Sequence, residues 1–275
     1  MGKIMALPLQ GRTVALAEGR QLEELAAMLE KEGATTVRCP MVSILDAPDS
    51  APVVVWLREL IADQFNYVIL MTGEALRRLL GFAEREGIGG AALAALRKTQ
   101  TVTRGPKPVR ALKEIGLTPA KIAEAPTTEG VIDSLRQENL RGLTIGVTLY
   151  GAPNPPLVHF LEERGAIVRT VMPYIYAPAA DAGQVVRLIE QMAAGQVDVL
   201  LFTSSPQVDR LYEVAKAQGR LADLHKGLAR TMIAAIGPVV AENLREKGAR
   251  VDICPDQGFV MKNLVQQIKR ALGEK

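Results

Sequence analysis

Gly11-Arg12-Thr13-Val14-Ala15-Leu16 recurs 131 positions later as Gly142-Leu143-Thr144-Ile145-Gly146-Val147. Further pairs keep this spacing to within one residue: Thr72 with Thr203, Gly105 with Gly237, and Gly116 with Gly248. A repeat this long is a duplicated domain, because solenoid units are only about 20–50 residues long. The sequence therefore predicts two similar lobes. Ligand sites favour domain interfaces, so we expect a ligand in the cleft between the lobes.

Both repeats alternate short apolar strands with amphipathic helices. Strands are predicted at Thr13–Ala17, Thr36–Leu45, Tyr67–Met71, Thr101–Thr103, Ile122–Ala125, Thr144–Leu149, Ile167–Tyr174, Val197–Phe202, Met232–Ile236 and Val251–Cys254. Helices are predicted at Gln21–Glu32, Val53–Ala62, Glu74–Glu86, Lys107–Ile115, Gly130–Glu138, Pro156–Arg164, Gln184–Ala194, Pro206–Ala217, Pro238–Lys247 and Val260–Leu272. Continuous apolar strands that alternate with helices indicate parallel sheets covered on both faces. The predicted class is α/β, with two lobes that each hold a parallel sheet flanked by helices.

Composition excludes several classes of protein. With 275 residues, 48% of them apolar and 23% charged, the chain is typical of a soluble globular protein of about two domains. The net charge of +3 favours an anionic ligand slightly. The chain has no dense Lys/Arg run with interleaved aromatic residues, so the sequence does not indicate nucleic-acid binding. No stretch reaches the length of a membrane span and no signal-peptide pattern opens the chain, so we expect a cytoplasmic protein.

Residues suited to metal, redox or nucleotide chemistry are scarce. Cys39 and Cys254 are the only cysteines, and we expect them to be small buried hydrophobic residues in a reducing compartment. His159 and His225 lack ligand spacing with these cysteines, so no metal site is predicted. The chain has neither a phosphate-binding glycine loop nor a nucleophile elbow, and we expect no cofactor.

The predicted binding positions lie after strands and before helices. Ligands of open parallel sheets bind outside the carboxyl ends of the strands. There the chain places hydroxyl residues, glycines and helix starts: Thr72, Gly73, Thr103, Arg104, Gly105, Pro106, Thr127, Thr128, Tyr150, Gly151, Thr203, Ser204, Gly237 and Pro238. Backbone N–H groups and hydroxyls at a helix start bind phosphate or carboxylate, although each loop alone is better explained as an ordinary helix cap. Together the loops predict a cleft for a ligand with several anionic groups, and they do not specify a reaction.

Two stretches with prolines, Asp46–Pro52 and Pro173–Asp181, are the predicted hinges, and a pair of tyrosines lies beside the second. Strand alternation puts Tyr174 and Tyr176 on one face. A phenol at this position could donate a proton or a hydrogen bond in the cleft. The alternative is a half-buried strand tyrosine bonded to backbone.

Taken in their order along the chain, from about Gly11 to Leu272, the motifs of this sequence resemble those of uroporphyrinogen-III synthase. The resemblance is carried by Leu70-Met71-Thr72, Arg104-Gly105-Pro106, Thr127-Thr128-Glu129-Gly130, Arg164-Gly165-Ala166, Phe202-Thr203-Ser204 and Ala235-Ile236-Gly237-Pro238. It implies two α/β lobes joined by a two-stranded hinge, with the active-site cleft between them. One lobe would combine residues 1–40 with 177–275, and the other would hold residues 41–176.

The resemblance also implies a reaction. The substrate would be hydroxymethylbilane, a linear tetrapyrrole with eight carboxylates, received by hand-over from hydroxymethylbilane synthase. A monomeric hydro-lyase would close the macrocycle with inversion of ring D and loss of water, without a cofactor, in haem, sirohaem or cobalamin biosynthesis. Tyr174 matches the family tyrosine thought to assist departure of the substrate hydroxyl.

Three positions depart from the family pattern. Tyr150-Gly151 stands where many members have Arg-Gly, and Thr72-Gly73 stands where many have Thr-Ser. The first strand ends in Ala17-Glu18-Gly19-Arg20 rather than in Thr-Arg-Pro. An alternative function therefore stays open: a non-catalytic two-lobed protein that binds tetrapyrroles or small anions, or a regulatory paralogue.

Overall fold

The structure is a computed structural model that describes residues 7–273. The strands are β1 (Thr13–Leu16), β2 (Thr35–Arg38), β3 (Val42–Asp46), β4 (Tyr67–Leu70), β5 (Gln100–Thr103), β6 (Lys121–Ile122), β7 (Thr144–Thr148), β8 (Ile167–Val171), β9 (Tyr174–Pro178), β10 (Val199–Phe202) and β11 (Met232–Ala235). The helices are α1 (Leu22–Glu30), α2 (Ala51–Ile61), α3 (Gly73–Arg85), α4 (Gly89–Lys98), α5 (Pro106–Glu114), α6 (Thr128–Leu135), α7 (Pro155–Glu163), α8 (Ala182–Ala193), α9 (Ser205–Ala217), α10 (Leu221–Arg230), α11 (Pro238–Glu246) and α12 (Met261–Gly273).

The chain divides into two compact units. The discontinuous unit contains the chain up to Ser43 together with the chain from Tyr176 onward. The inserted unit is Ile44–Ile175. Each unit holds one parallel sheet with helices around it, which confirms the predicted α/β class.

In the discontinuous unit, the sheet has the order β11-β10-β1-β2, and all neighbouring strands are parallel. β1, β10 and β11 are almost wholly apolar because both faces are covered, and Leu16, Leu201 and Phe202 are fully buried, whereas the edge strand β2 is polar and partly exposed. A single parallel bridge between Ala234 and Ile253 extends the sheet. The full strand predicted at Val251–Cys254 was therefore wrong.

In the inserted unit, the sheet has the order β6-β5-β4-β7-β8, again with parallel neighbours. Side chains alternate along β4: Val68 and Leu70 belong to one apolar cluster, whereas Ile69 belongs to another. Helices cover both faces, so the central strand is apolar along its length.

A third, two-stranded sheet pairs β3 with β9. Its ladder is antiparallel, as the hydrogen bonds from Ala47 N to Pro173 O and from Ala179 N to Met41 O show. The single strands predicted at Thr36–Leu45 and Ile167–Tyr174 were wrong, because each is two strands. Pro40 and Pro173 lie at the breaks, where a residue without an N–H cannot continue the ladder.

The duplication is visible strand by strand, but each unit draws on both repeats. Leu70 lies opposite Thr103 in the inserted unit, and Phe202 lies opposite Ala235 in the discontinuous unit, 132 positions later in both cases. By the same comparison β7 corresponds to β1 and β8 to β2. The first two strands of each repeat thus complete the sheet that belongs to the other repeat.

Two helices, α4 and α10, were not predicted. The glycines of Gly87-Ile88-Gly89-Gly90 are typical of a loop, yet Ala92, Ala95 and Leu96 are buried and fix α4 by packing. Within residues 7–273, no helix combines the length and apolar character needed to cross a membrane.

Candidate functional site

At the carboxyl end of β4, a pair of hydroxyls forms the centre of the candidate site in the inserted unit. Thr72 is the N-cap of α3, and its Oγ1 accepts a hydrogen bond from Ala75 N at 3.1 Å. The same oxygen lies 3.1 Å from the Oη of Tyr174. Tyr174 is fully buried, rather than half-buried, and it begins β9. A cap residue therefore fixes the position of the phenol.

Close packing explains why glycine follows Thr72. A Cβ on Gly73 would lie 2.7 Å from the carbonyl oxygen of Lys107, closer than a Cβ can approach an oxygen. The starts of α3 and α5 consequently pack backbone against backbone. A serine at position 73, which the family pattern favours, would force these two helix starts apart.

The ends of β5 and β7 contribute a cation and a second phenol. The Cζ of Arg104 lies 4.4 Å from the centroid of the Tyr150 ring, and its Nη1 donates to the Tyr150 hydroxyl. Gly105 follows with a φ of 142°, a conformation that glycine adopts easily, and Pro106 opens α5. Among residues 7–273, no carboxylate forms an ion pair with Arg104.

The other predicted hydroxyls of this unit hold helices and strands. Thr127 caps α6 and accepts from Gly130 N at 3.0 Å. Thr128 accepts at 2.9 Å from Nδ2 of Asn154, the cap of α7. Thr103 is fully buried and donates to the Lys121 carbonyl. Gly151 lies in the turn between Tyr150 and Ala152. The Thr103 side chain therefore offers a ligand no exposed atom. The hydroxyls of Thr127 and Thr128 would have to bind a ligand while also accepting their internal hydrogen bonds.

In the discontinuous unit, an internal carboxylate occupies the corresponding strand end. Thr203 is nearly buried, and its hydroxyl donates to Glu18. Gln207 Nε2 lies 3.4 Å from the same carboxylate oxygen and donates to Thr203 Oγ1 at 2.9 Å. The second oxygen of Glu18 accepts from Arg20 N at 2.8 Å and from Gln21 N at 3.2 Å.

Glu18 is an ionised residue at neutral pH. Burial alone raises the pKa of its carboxyl, but the hydrogen bonds from Thr203, Gln21 and Arg20, with the Arg20 charge, outweigh it and leave the pKa below its ordinary value. Sequence reasoning noted Glu18 only as a departure from the family pattern. Its position directly after β1 was the available signal.

The remaining positions of this unit are helix starts. Ser204 caps α9 in a capping box with Gln207. Gly237 precedes α11, and Pro238 is the first residue of that helix. Pro238 has no N–H and Ser204 N donates to Gln207 Oε1 at 3.2 Å, so the donors that these helix starts present are the N–H groups of Gly237 and of the first helical turns.

Neither cysteine has the properties of a reactive thiol. Both are free, and burial raises the pKa of Cys39 to about 12. Burial also raises the pKa of Cys254. A protonated thiol is a poor nucleophile, so the chemistry of the candidate site rests on hydroxyls, amides and Arg104.

The family model described as uroporphyrinogen-III synthase HemD matches residues 23–266. The chain belongs to the uroporphyrinogen-III synthase family. It is 34% identical over 253 residues to the uncharacterized protein YjjA of Bacillus subtilis (strain 168), covering 92% of this chain and 93% of YjjA. A putative uroporphyrinogen-III synthase of Methanothermobacter thermautotrophicus is 28% identical over 254 residues, or 91% of this chain and 94% of that protein.

Among solved structures, a crystal structure of a mutant uroporphyrinogen III synthase from the extremely thermophilic bacterium Thermus thermophilus matches with a TM-score of 0.77 and 31% identity. The match covers 96% of this chain and 100% of that chain. The resemblance drawn from the sequence is thus confirmed at the level of family and fold. The uroporphyrinogen-III synthase fold of this chain presents Thr72, Arg104 and Tyr150 at the carboxyl ends of the inserted sheet.

Proposed function

We propose that the chain is a uroporphyrinogen-III synthase that cyclises hydroxymethylbilane without a cofactor, with inversion of ring D and loss of water. One observation carries the proposal within the family: the hydroxyl of Tyr174 is held 3.1 Å from Thr72 Oγ1 at the carboxyl end of β4. This edge of a parallel sheet is where ligands bind. We further propose that the enzyme acts as a monomer and receives its substrate from hydroxymethylbilane synthase.

Tyr174 would act as the proton or hydrogen-bond donor. The C–O bond of the substrate's hydroxymethyl group breaks, and the oxygen takes up a proton and leaves as water. The pyrrole nitrogen delocalises the positive charge that remains on carbon. The proton released when the ring closes restores the phenol. Because Tyr174 is fully buried, the proposal requires its hydroxyl to become accessible when substrate binds.

The substrate carboxylates would be bound mainly by uncharged donors. Proposed contacts are Thr72, Gly73, Thr103, Gly105, Pro106, Thr127, Thr128, Gly151, Thr203, Ser204, Gly237 and Pro238, together with Arg104 and Tyr150. One neutral hydrogen bond contributes about 1 kcal/mol, so loss of a single uncharged contact should lower affinity only a few-fold. Thr103 and Thr203 would contribute least, because both hydroxyls donate internally and Thr203 N donates to Gln207 Oε1 at 2.8 Å.

The test is product analysis with freshly generated hydroxymethylbilane. Spontaneous closure yields the symmetric type I isomer, whereas the proposed enzyme yields type III. We expect type III to dominate in proportion to enzyme concentration. Type I alone at high enzyme concentration would show that the proposed activity is wrong.

A second candidate is a tetrapyrrole-binding protein without catalytic activity. The internal bond between Thr203 and Glu18 favours it, because this strand end of the discontinuous unit then offers the substrate no free hydroxyl, while the strand ends of the inserted unit could still bind a polycarboxylate without ring closure. This candidate predicts saturable binding of a polycarboxylate tetrapyrrole together with type I product only.

A further inference from the structure

We propose that Arg104 is the principal anchor for one substrate carboxylate and that Tyr150 is a positioning residue that holds the guanidinium in place. The inference rests on the proposed function for the identity of the ligand. The chemical class of the ligand group, a carboxylate, follows from the cation itself.

The guanidinium is held by an uncharged partner. The ring of Tyr150 lies beneath Cζ at 4.4 Å, and its hydroxyl accepts from Nη1. Stacking on the ring fixes the plane of the guanidinium without neutralising its charge. Tyr150 uses one of the five N–H donors, so the fork that binds a carboxylate in bidentate fashion retains donors.

Several arginines of the inserted unit are already committed to carboxylates. Arg77 pairs with Glu114 at 2.8 Å, and Arg78 pairs with Asp46 at 2.6 Å. Four further arginines form no such pair within residues 7–273, but each precedes the amino end of a strand: Arg58 before β4, Arg97 before β5, Arg141 before β7 and Arg164 before β8. Arg104 therefore combines the ligand-binding edge of the sheet with a charge that no described acid neutralises.

The pair also lies beside the hydroxyl centre. β5 and β7 are the two neighbours of β4, and Thr103 and Thr148 both lie opposite Leu70. Arg104 N donates to Leu70 O at 3.2 Å. Arg104 and Tyr150 thus meet across the end of β4, two residues from Thr72. A carboxylate bound there would place the substrate next to the Thr72–Tyr174 pair.

The experiment measures binding of uroporphyrin I, an octacarboxylate, by fluorescence, and in parallel the KM and kcat for hydroxymethylbilane. A hydrogen bond to a charged group contributes about 1.5–3 kcal/mol, so Arg104→Ala should weaken binding about 10- to 100-fold. The octamethyl ester of the same porphyrin has no charge to lose and should show no such change. Arg104→Lys, which keeps the charge but not the fork, should recover only part of the affinity.

Tyr150 is tested by a double-mutant cycle. Tyr150→Phe keeps the ring and should weaken binding about two- to threefold, and Tyr150→Leu should weaken it about fivefold or more. In the Tyr150→Leu background, Arg104→Ala should cost less than in the wild type. KM should rise while kcat changes little, which separates anchoring from a general loss of structure.

Arg164 and Phe160 provide the matched control, because Arg164 Cζ lies 5.4 Å from the Phe160 ring at the end of α7, which leads into the amino end of β8 instead of following a carboxyl strand end. Phe160→Leu should leave uroporphyrin affinity unchanged.

Equal affinities for Arg104→Ala and wild type, with both proteins folded by circular dichroism, would overturn the inference even if type III isomer forms. Weaker binding in Arg104→Ala with only type I product would support the anchor and reject the proposed reaction. A loss in Tyr150→Leu without one in Arg104→Ala would show that the ring itself binds.

Discussion

The turn after β1 and the turn after β7 are equivalent in the duplicated fold, and they carry opposite electrostatics. After β1, the carboxylate of Glu18 is enclosed by Thr203, Gln207 and two backbone N–H groups. After β7, Leu149 takes the place of Glu18, and the next residue, Tyr150, holds the cation of Arg104. Duplication has thus conserved the backbone path but not the charge. We conclude that the inserted unit is the better suited of the two to receive an anion.

The largest expected effect is on turnover, and it tests whether the inserted unit supplies the proton donor. Tyr174→Phe removes the proposed donor and should lower turnover about 10²- to 10⁴-fold, the usual worth of general-acid assistance. Affinity for uroporphyrin should hardly change. Since the Thr72 hydroxyl also loses a partner, unfolding should become easier by about 1 kcal/mol. Single-turnover rates and urea titrations measure the two effects.

Tyr176→Phe is the control for this substitution, because it lies on the same strand two residues further on. It should alter turnover much less. Full activity in Tyr174→Phe would remove the acid role and leave positioning as the only contribution of this strand.

The second effect concerns the discontinuous unit. Glu18→Leu imitates the residue found after β7 and leaves the hydroxyl of Thr203 without its buried acceptor. Each unsatisfied buried polar group costs about 1–3 kcal/mol, so stability should fall by at least that amount. Leu149→Ala supplies the reciprocal comparison, since it removes only apolar contacts. If Glu18→Leu leaves the midpoint of the urea titration unchanged, the bonds between Glu18, Thr203 and Gln207 do not stabilise the fold.

The third effect is a pH dependence. The pKa of Glu18 is lowered by folding, so its contribution to stability is fully present above the unfolded value of about 4.3 and is lost as pH falls through the folded value. Urea midpoints measured from neutral pH down to about pH 3 should therefore fall more steeply for wild type than for Glu18→Gln. Parallel curves for the two proteins would contradict the lowered pKa.

The smallest effects compare two equivalent caps. Thr72 caps α3 and Ser204 caps α9, and each loss to alanine should destabilise by about 1 kcal/mol. Only Thr72→Ala also removes the hydrogen bond between Thr72 and the Tyr174 hydroxyl, so it alone should lower turnover. Equal turnover in the two variants would indicate that the Thr72–Tyr174 bond has no part in the reaction.

Much of this fold could be predicted because its signals are local or periodic. The repeat, the apolar runs such as Tyr67–Met71 and the glycines after helices specified two parallel α/β sheets. The breaks at Pro40 and Pro173 were also visible as residues, but whether a proline bends or ends a strand depends on its neighbours in space.

The candidate site was less predictable because its bonds join distant residues. Thr203 was correctly placed at a strand end, yet its partner Glu18 lies 185 positions away in the chain. Arg104 and Tyr150 were each selected as binding positions, but nothing local showed that they stack on each other across 46 positions. A strand-end position is encoded by sequence pattern, whereas the pairing of side chains there depends on the order of strands in the sheet.

The exchange of strands between repeats has a consequence for synthesis on the ribosome. The inserted sheet is complete once β8 has emerged, because all of its strands lie within one contiguous stretch. β1 emerges before the other described strands, yet Val14 pairs on one side with Val199, which is translated only after the whole inserted unit. Until then β1 and β2 expose an apolar edge, the kind of nascent surface that chaperones bind. β1 and β2 are therefore translated before the inserted unit, but β1 reaches its final neighbour β10 only after that unit is complete.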